Sequence, residues 1–372
     1  MSPAARASGK RRSLFLDWRA ILGIGISALL LYLTFRKMDL RAVWENLRGV
    51  HVPLFLLSSA AATFTFWIRA WRWRGILRPV RDVPFRSRFA AVTIGFMGNN
   101  LLPARVGEFL RAYSLSRMEP VPLVSSLASL VIERLFDGVF VIMLLFVAMS
   151  LPGFPVVTAG ESVGYTGFAR IAAALVGIAT VFLFALVLMP RQAVAFAERV
   201  VTIFPSSLRR PIVDALEAFL TGVGILRNPR LLLLVGSWSL GLWLFNAVGF
   251  WIAFHAFGLP LPFTAALFFQ SAIALAVSVP SGPAFVGVFH GAAVFVLSRM
   301  WGAPEAAAGA FAVGFHLAGF IPVTLIGLYY AWRMGLSVGE VAASEEVVET
   351  EVERQVPVEE KDRNRSGQSG PD

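Results

Sequence analysis

The chain contains no cysteine, which excludes disulfides, iron–sulfur clusters and thiolate zinc sites. Its four histidines are scattered, with no HExxH spacing, so no metal centre is expected. There is no GxxxxGK[ST] phosphate loop and no GxSxG nucleophile elbow, so neither ATP hydrolysis nor serine-hydrolase chemistry finds its usual apparatus here. The GVG of TGVGILRNP lacks the rest of a dinucleotide fingerprint, and no cofactor is expected. Charge is scarce: 15% of residues are charged and 57% hydrophobic, where a soluble domain carries roughly 25% charged.

What is present is long apolar sequence. Mean hydropathy is +0.70, and six runs stand out at 20–35, 53–70, 123–149, 168–189, 231–257 and 306–331. A helix needs about 20 residues to cross a ~30 Å hydrocarbon core, so the chain reads as an all-α polytopic membrane protein. RASGKRRS before the first run is followed by no small-residue cleavage pattern; residues 1–19 read as the basic cytoplasmic flank of an uncleaved helix. The net charge of +10 is uneven, because residues 340–372 hold ten acids and four bases. Residues 336–372 are expected to be an acidic, disordered cytoplasmic tail. Bases elsewhere sit at the ends of apolar runs, which argues for membrane orientation and against nucleic acid. IRAWRWRGILRPVRDVPFRSR, residues 68–88, is Arg-rich with a single Asp. It reads as a positive-inside anchor with interfacial Trp, and it also suits anionic lipid headgroups.

Two further apolar segments are interrupted. Residues 88–110 contain NNLLPARVGEF, and residues 263–297 centre on Pro280, Ser281, Gly282 and Pro283; neither tolerates an unbroken helix cheaply. If the first segment crossed, Arg105, Arg111 and Arg117 would lie outside, against the charge rule. It is therefore expected to re-enter, and the second to re-enter from the opposite side. The expected architecture has eight hydrophobic segments: about six crossing helices plus two broken re-entrant hairpins, in two inverted repeats spanning 20–150 and 151–335, with both termini cytoplasmic. Non-helical backbone at that depth persists only where protein or a water-filled cavity satisfies it.

A helix beginning near Pro103 would set Arg105, Glu108 and Arg111 on one face. Asn99 or Asn100 ahead of it can bond its free amides, and its positive end suits an anionic group. In VIERLFDG, Glu133 falls near mid-membrane, shares a face with Asp137, and has Arg134 beside it. Charges at such depth cost at least ~2.5 to 3.5 kcal/mol each, so they must face the bundle interior or water. Both sets are expected to line one cavity; interfacial ion pairs or a purely structural buried pair are the alternatives. The second break contributes Ser281 and free backbone, with His290 after it.

Together these residues carry a likeness. NLLPARVGEFLR at 100–111, ERLFD at 133–137 and PSGPAFVGVFH at 280–290 resemble the lysylphosphatidylglycerol synthase transmembrane region, a flippase-like integral membrane family; RAWRW at 69–73 resembles its Arg-Trp end of helix two. The resemblance spans roughly residues 20–335. By motif match it carries over Asn100, Pro103, Arg105, Gly107, Glu108 and Arg111, then Glu133, Arg134 and Asp137, then Pro280, Pro283 and Gly287. Ala284 stands where the family commonly has Gly, and His290 where it often has an acid or Gln. Only 37 residues, 336–372, follow the membrane repeats, so the family's soluble aminoacyl-transferase domain is not expected.

The resemblance implies a non-enzymatic lipid translocator in the cytoplasmic membrane. Its partner would be a lipid with an anionic or zwitterionic headgroup, together with a second copy of the chain or a lipid-pathway enzyme. The alternatives are a membrane-embedded transferase acting on a lipid carrier and a non-catalytic subunit of an envelope pathway. Candidate substrate-binding residues are Asn99, Asn100, Arg105, Glu108, Arg111, Glu133, Arg134, Asp137, Ser281 and His290; Pro103, Gly107, Pro280, Pro283 and Gly287 are expected to shape the breaks.

Overall fold

The computed structural model describes residues 18–36, 38–102, 106–155, 228–278 and 282–336, with the isolated residues 189, 192, 195 and 199. Most of the basic N-terminal flank, the expected crossing at 168–189 apart from residue 189, and the acidic tail from 337 lie outside them. So do Pro103, Arg105, Pro280 and Ser281.

Among the described residues there are ten α-helices and no strand. In chain order they are α1 (Trp18–Phe35), α2 (Leu40–Arg48), α3 (Val52–Leu77), α4 (Phe85–Leu101), α5 (Gly107–Met118), α6 (Leu123–Ser150), α7 (Pro229–Ala256), α8 (Phe263–Ala276), α9 (Val288–Val294) and α10 (Glu305–Arg333). α3, α7 and α10 are long and apolar enough to cross a membrane. α6 has the same 28-residue length as α7. The chain is an all-helical polytopic membrane protein.

Local chemistry sets the helix starts. Asp39 caps α2 by accepting from the amides of Arg41 and Ala42, and Asn228 caps α7 in the same way through Arg230 and Leu231, each satisfying amides that have no partner inside the helix. The α3 and α7 helices also place Pro in their first turn, where the missing N–H costs nothing. The short α2 was not anticipated from the sequence: it is too short to span, burying Val43 while leaving Leu40 and Trp44 exposed.

Both interrupted segments form helical hairpins. In the first, Ser87 at the start of α4 donates to Glu119 beyond α5 at 2.6 Å, so the two arms begin and end at the same level. At the tip, the Asn99 side chain accepts from the Gly107 amide at 3.0 Å, capping α5 four residues later than the expected start near Pro103. The arms touch backbone to backbone: a Cβ on Gly98 would lie 2.9 Å from the Gly107 Cα, and one on Gly107 would run into the Gly95 carbonyl. Such small-residue contact is how helices gain dispersion energy where no hydrophobic force separates protein from lipid.

The second hairpin is built differently. α8 stops at Ala276, a 3-10 turn covers Pro283–Phe285, and α9 runs seven residues before six in a π-turn, Phe295–Met300. Counted end to end, Pro283–Met300 has the length of a span, but left-handed Ala284 (φ 55) and Phe285 (φ 58) and Gly287 (φ 89) break it. Phe268 and Trp301 close its open end at 5.4 Å between rings. Its tip docks on α1, where the Gly282 amide donates to Ser27 Oγ at 2.9 Å, and on α4.

Two cores follow this division. Residues of α3 to α6, with Leu231 and Val235 of α7 and Val323 of α10, pack one around Trp73, Ile76, Val92 and Leu115. The C-terminal half of α6 joins α7 to α10 in the other, rich in Phe, with Phe250, Phe254, Phe269 and Phe311 in mutual ring contact. α6 contributes to both.

Candidate functional site

Polar groups concentrate where α3, α5, α6 and α7 meet. Period 3.6 puts Arg69, Arg72 and Trp73 on one stripe of α3, and Glu133 and Asp137 four apart on α6. Arg72 Nη1 donates to Asp137 Oδ1 at 2.6 Å and to Ser239 Oγ of α7 at 3.2 Å, while its Nη2 lies 3.2 Å from Glu133 Oε1. Arg111 reaches across from α5 as a fork, with Nη1 and Nη2 on the two Glu133 oxygens at 2.9 and 2.8 Å. Trp243 Nε1 of α7 adds a bond to Asp137 Oδ1 at 3.2 Å. The side chains of Arg72 and Glu133 are wholly buried.

Toward one side the cluster opens. Arg134 Nε pairs with Glu108 Oε1 at 3.1 Å, and its Nη1 donates weakly to Asp137 Oδ2 at 3.4 Å; the side chains of Arg134 and Glu108 are 40% and 25% exposed. Arg69 approaches Asp137 and Glu133 only to 3.5 and 4.0 Å. Aromatic faces complete the walls: the Arg111 guanidinium carbon sits 3.9 Å from the centre of Trp73, whose own Nε1 is held by Ser129 at 2.9 Å. Buried carboxylates of this kind are tolerated because each accepts charge-assisted bonds from a guanidinium.

The structure thus joins the two motifs expected to share a cavity, through Glu108 with Arg134 and Arg111 with Glu133. It places six other candidates elsewhere. Asn99 closes the first hairpin and Asn100 Nδ2 donates to Thr324 of α10 at 2.8 Å. Gly107 is a packing position, as above. His290 lies in the second hairpin, its Nδ1 facing the Gly287 amide at 3.5 Å and its ring against Phe35 of α1 and, at 4.9 Å, His316 of α10, apart from the charge cluster. Pro283 opens the 3-10 turn and Gly287 supplies the left-handed residue before α9.

Sequence reasoning missed Arg69, Arg72, Ser239 and Trp243. The stretch beginning at residue 68 reads as an interfacial anchor, yet α3 continues helical through it to Leu77. The signal available was the demand of Glu133 and Asp137 for buried cations, with Arg69 and Arg72 three apart as suppliers.

Fold and site define a class: a polytopic helical membrane protein with a charged centre built beside a helical hairpin. The sequence pattern of the lysylphosphatidylglycerol synthase TM region matches residues 20–327, and the chain belongs to that family. It is also similar to the glycosyltransferase AglD of Haloferax volcanii, with 33% identity over 90 residues, 23% of this chain. That match spans 14% of the relative's length. No solved structure matches the chain.

Proposed function

We propose that the chain is a lipid translocator, moving or presenting a polar-headgroup lipid across the cytoplasmic membrane without itself catalysing a covalent reaction. The observation that carries this reading is the charge cluster itself. Four Arg and three carboxylates interact within a bundle of apolar helices, at a cost in hydrocarbon that a purely structural pair does not require. Its open side, at Arg134 and Glu108, gives a headgroup a polar place while the acyl chains stay in the bilayer. Membership in a family described by a lipid-synthase membrane region supports a lipid ligand. In this reading the two hairpins belong to inverted repeats, 20–150 and 151–335, and both termini are cytoplasmic.

Headgroup-labelled lipids in liposomes containing the purified full chain test it. Movement is expected for the wild type and is lost with Arg105→Ala and with Glu108→Ala while the protein remains folded and inserted. Movement at the wild-type rate in both variants, or none with any headgroup in the wild type, overturns it.

The likeness to a glycosyltransferase favours one second reading, a membrane-embedded transferase using a lipid carrier. Its general base would have to be Glu108 or Glu133. Both already receive guanidinium contacts, an arrangement suited to charge recognition more than to proton abstraction. Conversion of a carrier lipid to a new mass on incubation with nucleotide-sugar donors would establish that reading instead.

A further inference from the structure

Within the cluster, cations outnumber carboxylates, and the excess can be assigned to one side chain. Asp137 takes its shortest bond from Arg72, Glu133 is held by the fork of Arg111, and Glu108 by Arg134. Arg69 remains. Its nearest carboxylate oxygens are at 3.5 and 4.0 Å, and its Nε and Nη1 are buried with no hydrogen-bond acceptor among the described residues. Its guanidinium carbon stands 5.3 Å from the Phe96 ring centre and 5.9 Å from that of Trp243, so aromatic faces stabilise the cation while Nε and Nη1 stay unused among the described residues. Unlike Arg72, which is wholly buried, the Arg69 side chain keeps 14% of its surface exposed.

A guanidinium with unused Nε and Nη1 donors can give charge-assisted bonds to phosphate oxygens, and one added negative charge would balance the four Arg and three carboxylates described in the cluster. A cationic headgroup fits less well, because all three carboxylates already face Arg. We infer that Arg69 is the phosphate receptor of this site, binding the phosphodiester or phosphomonoester of an anionic ligand while the other three Arg hold the carboxylate scaffold. The inference rests on the translocator reading for its lipid, and on Arg69 alone for its chemistry.

Equilibrium binding to the purified full chain in detergent tests it, with phosphatidylglycerol, diacylglycerol, glycerol 3-phosphate and inorganic phosphate as probes. Wild type should bind phosphatidylglycerol more tightly than diacylglycerol, and Arg69→Gln should weaken phosphatidylglycerol about tenfold or more while leaving diacylglycerol unchanged. Arg69→Lys, which keeps the charge and loses the fork, should fall between the two; it carries the test if the Gln variant does not fold. Competition by glycerol 3-phosphate or inorganic phosphate that depends on Arg69 would assign a free phosphate as ligand, and its absence an intact lipid. Equal affinity of wild type and both variants, or equal binding of phosphatidylglycerol and diacylglycerol by wild type, overturns the inference. Arg69-dependent binding without lipid movement in liposomes would remove translocation and leave this receptor standing.

Discussion

The two helical hairpins share an outline and differ in what holds them. The first lays α5 against α6 and exchanges charge with it, through Arg111 to Glu133 and Glu108 to Arg134. The second has no buried ion pair among its described residues and anchors its tip on Ser27, through a bond to its Oγ and close approach of Gly287 to its backbone. The first thus adds charge-assisted bonds to its glycine packing, while the second relies on close packing around left-handed residues and the Gly282–Ser27 bond. Similar topology therefore does not imply similar chemistry: among the described residues the buried ion pairs lie beside the first hairpin.

The most damaging way to break that contrast is Glu133→Ala. It strands Arg111 and Arg72 in a buried site, and loss of one partner of a buried pair costs about 3 to 5 kcal/mol. Thermal unfolding in detergent should show a large drop or no recoverable protein. Gly287→Ala attacks the second hairpin alone. Its Cβ would meet the Ser27 backbone at a φ of 89°, and a destabilisation of about 1 to 3 kcal/mol is expected, with the charge cluster unaffected as judged by headgroup binding. Ala284→Gly should act in the opposite direction and least. It relieves a left-handed Ala at φ 55°, worth roughly 1 kcal/mol before the added freedom of the unfolded chain is subtracted, so a small rise in midpoint temperature is expected. A fall would mean that the Ala284 methyl group contributes more by packing than the strain costs.

Much of this organisation was legible beforehand. The runs at 20–35, 53–70, 123–149, 231–257 and 306–331 coincide with α1, α3, α6, α7 and α10 to within a few residues, apart from the longer end of α3, because sustained apolarity is a strong signal. Both breaks were visible as polar or Pro-Gly interruptions. Glu133 and Asp137 were found because charge at that depth demands a partner. The partner itself was not legible. Arg72 lies in an Arg-rich stretch that the charge rule explains fully, and only the packing of α6 and α7 against α3 distinguishes it from its exposed neighbour Arg74. Trp243 and Ser239 join the site from a helix whose sequence shows no sign of it. His290 stands apart from the charge cluster: its described ring neighbours are Phe35, Phe289 and His316.

The glycine seam of the first hairpin has a mechanical consequence. With Gly95, Gly98 and Gly107 in backbone contact and Ser87 tied to Glu119 at the base, the two arms cannot slide or part without losing several contacts at once. They form one stiff lever. Any rocking of it must pivot in the short connections around Pro84 and Pro122 that flank it, and must carry Arg111 with it. The same stroke would lift the fork from Glu133 and pull Asn100 from Thr324, so the internal charge balance and the grip on α10 would change together.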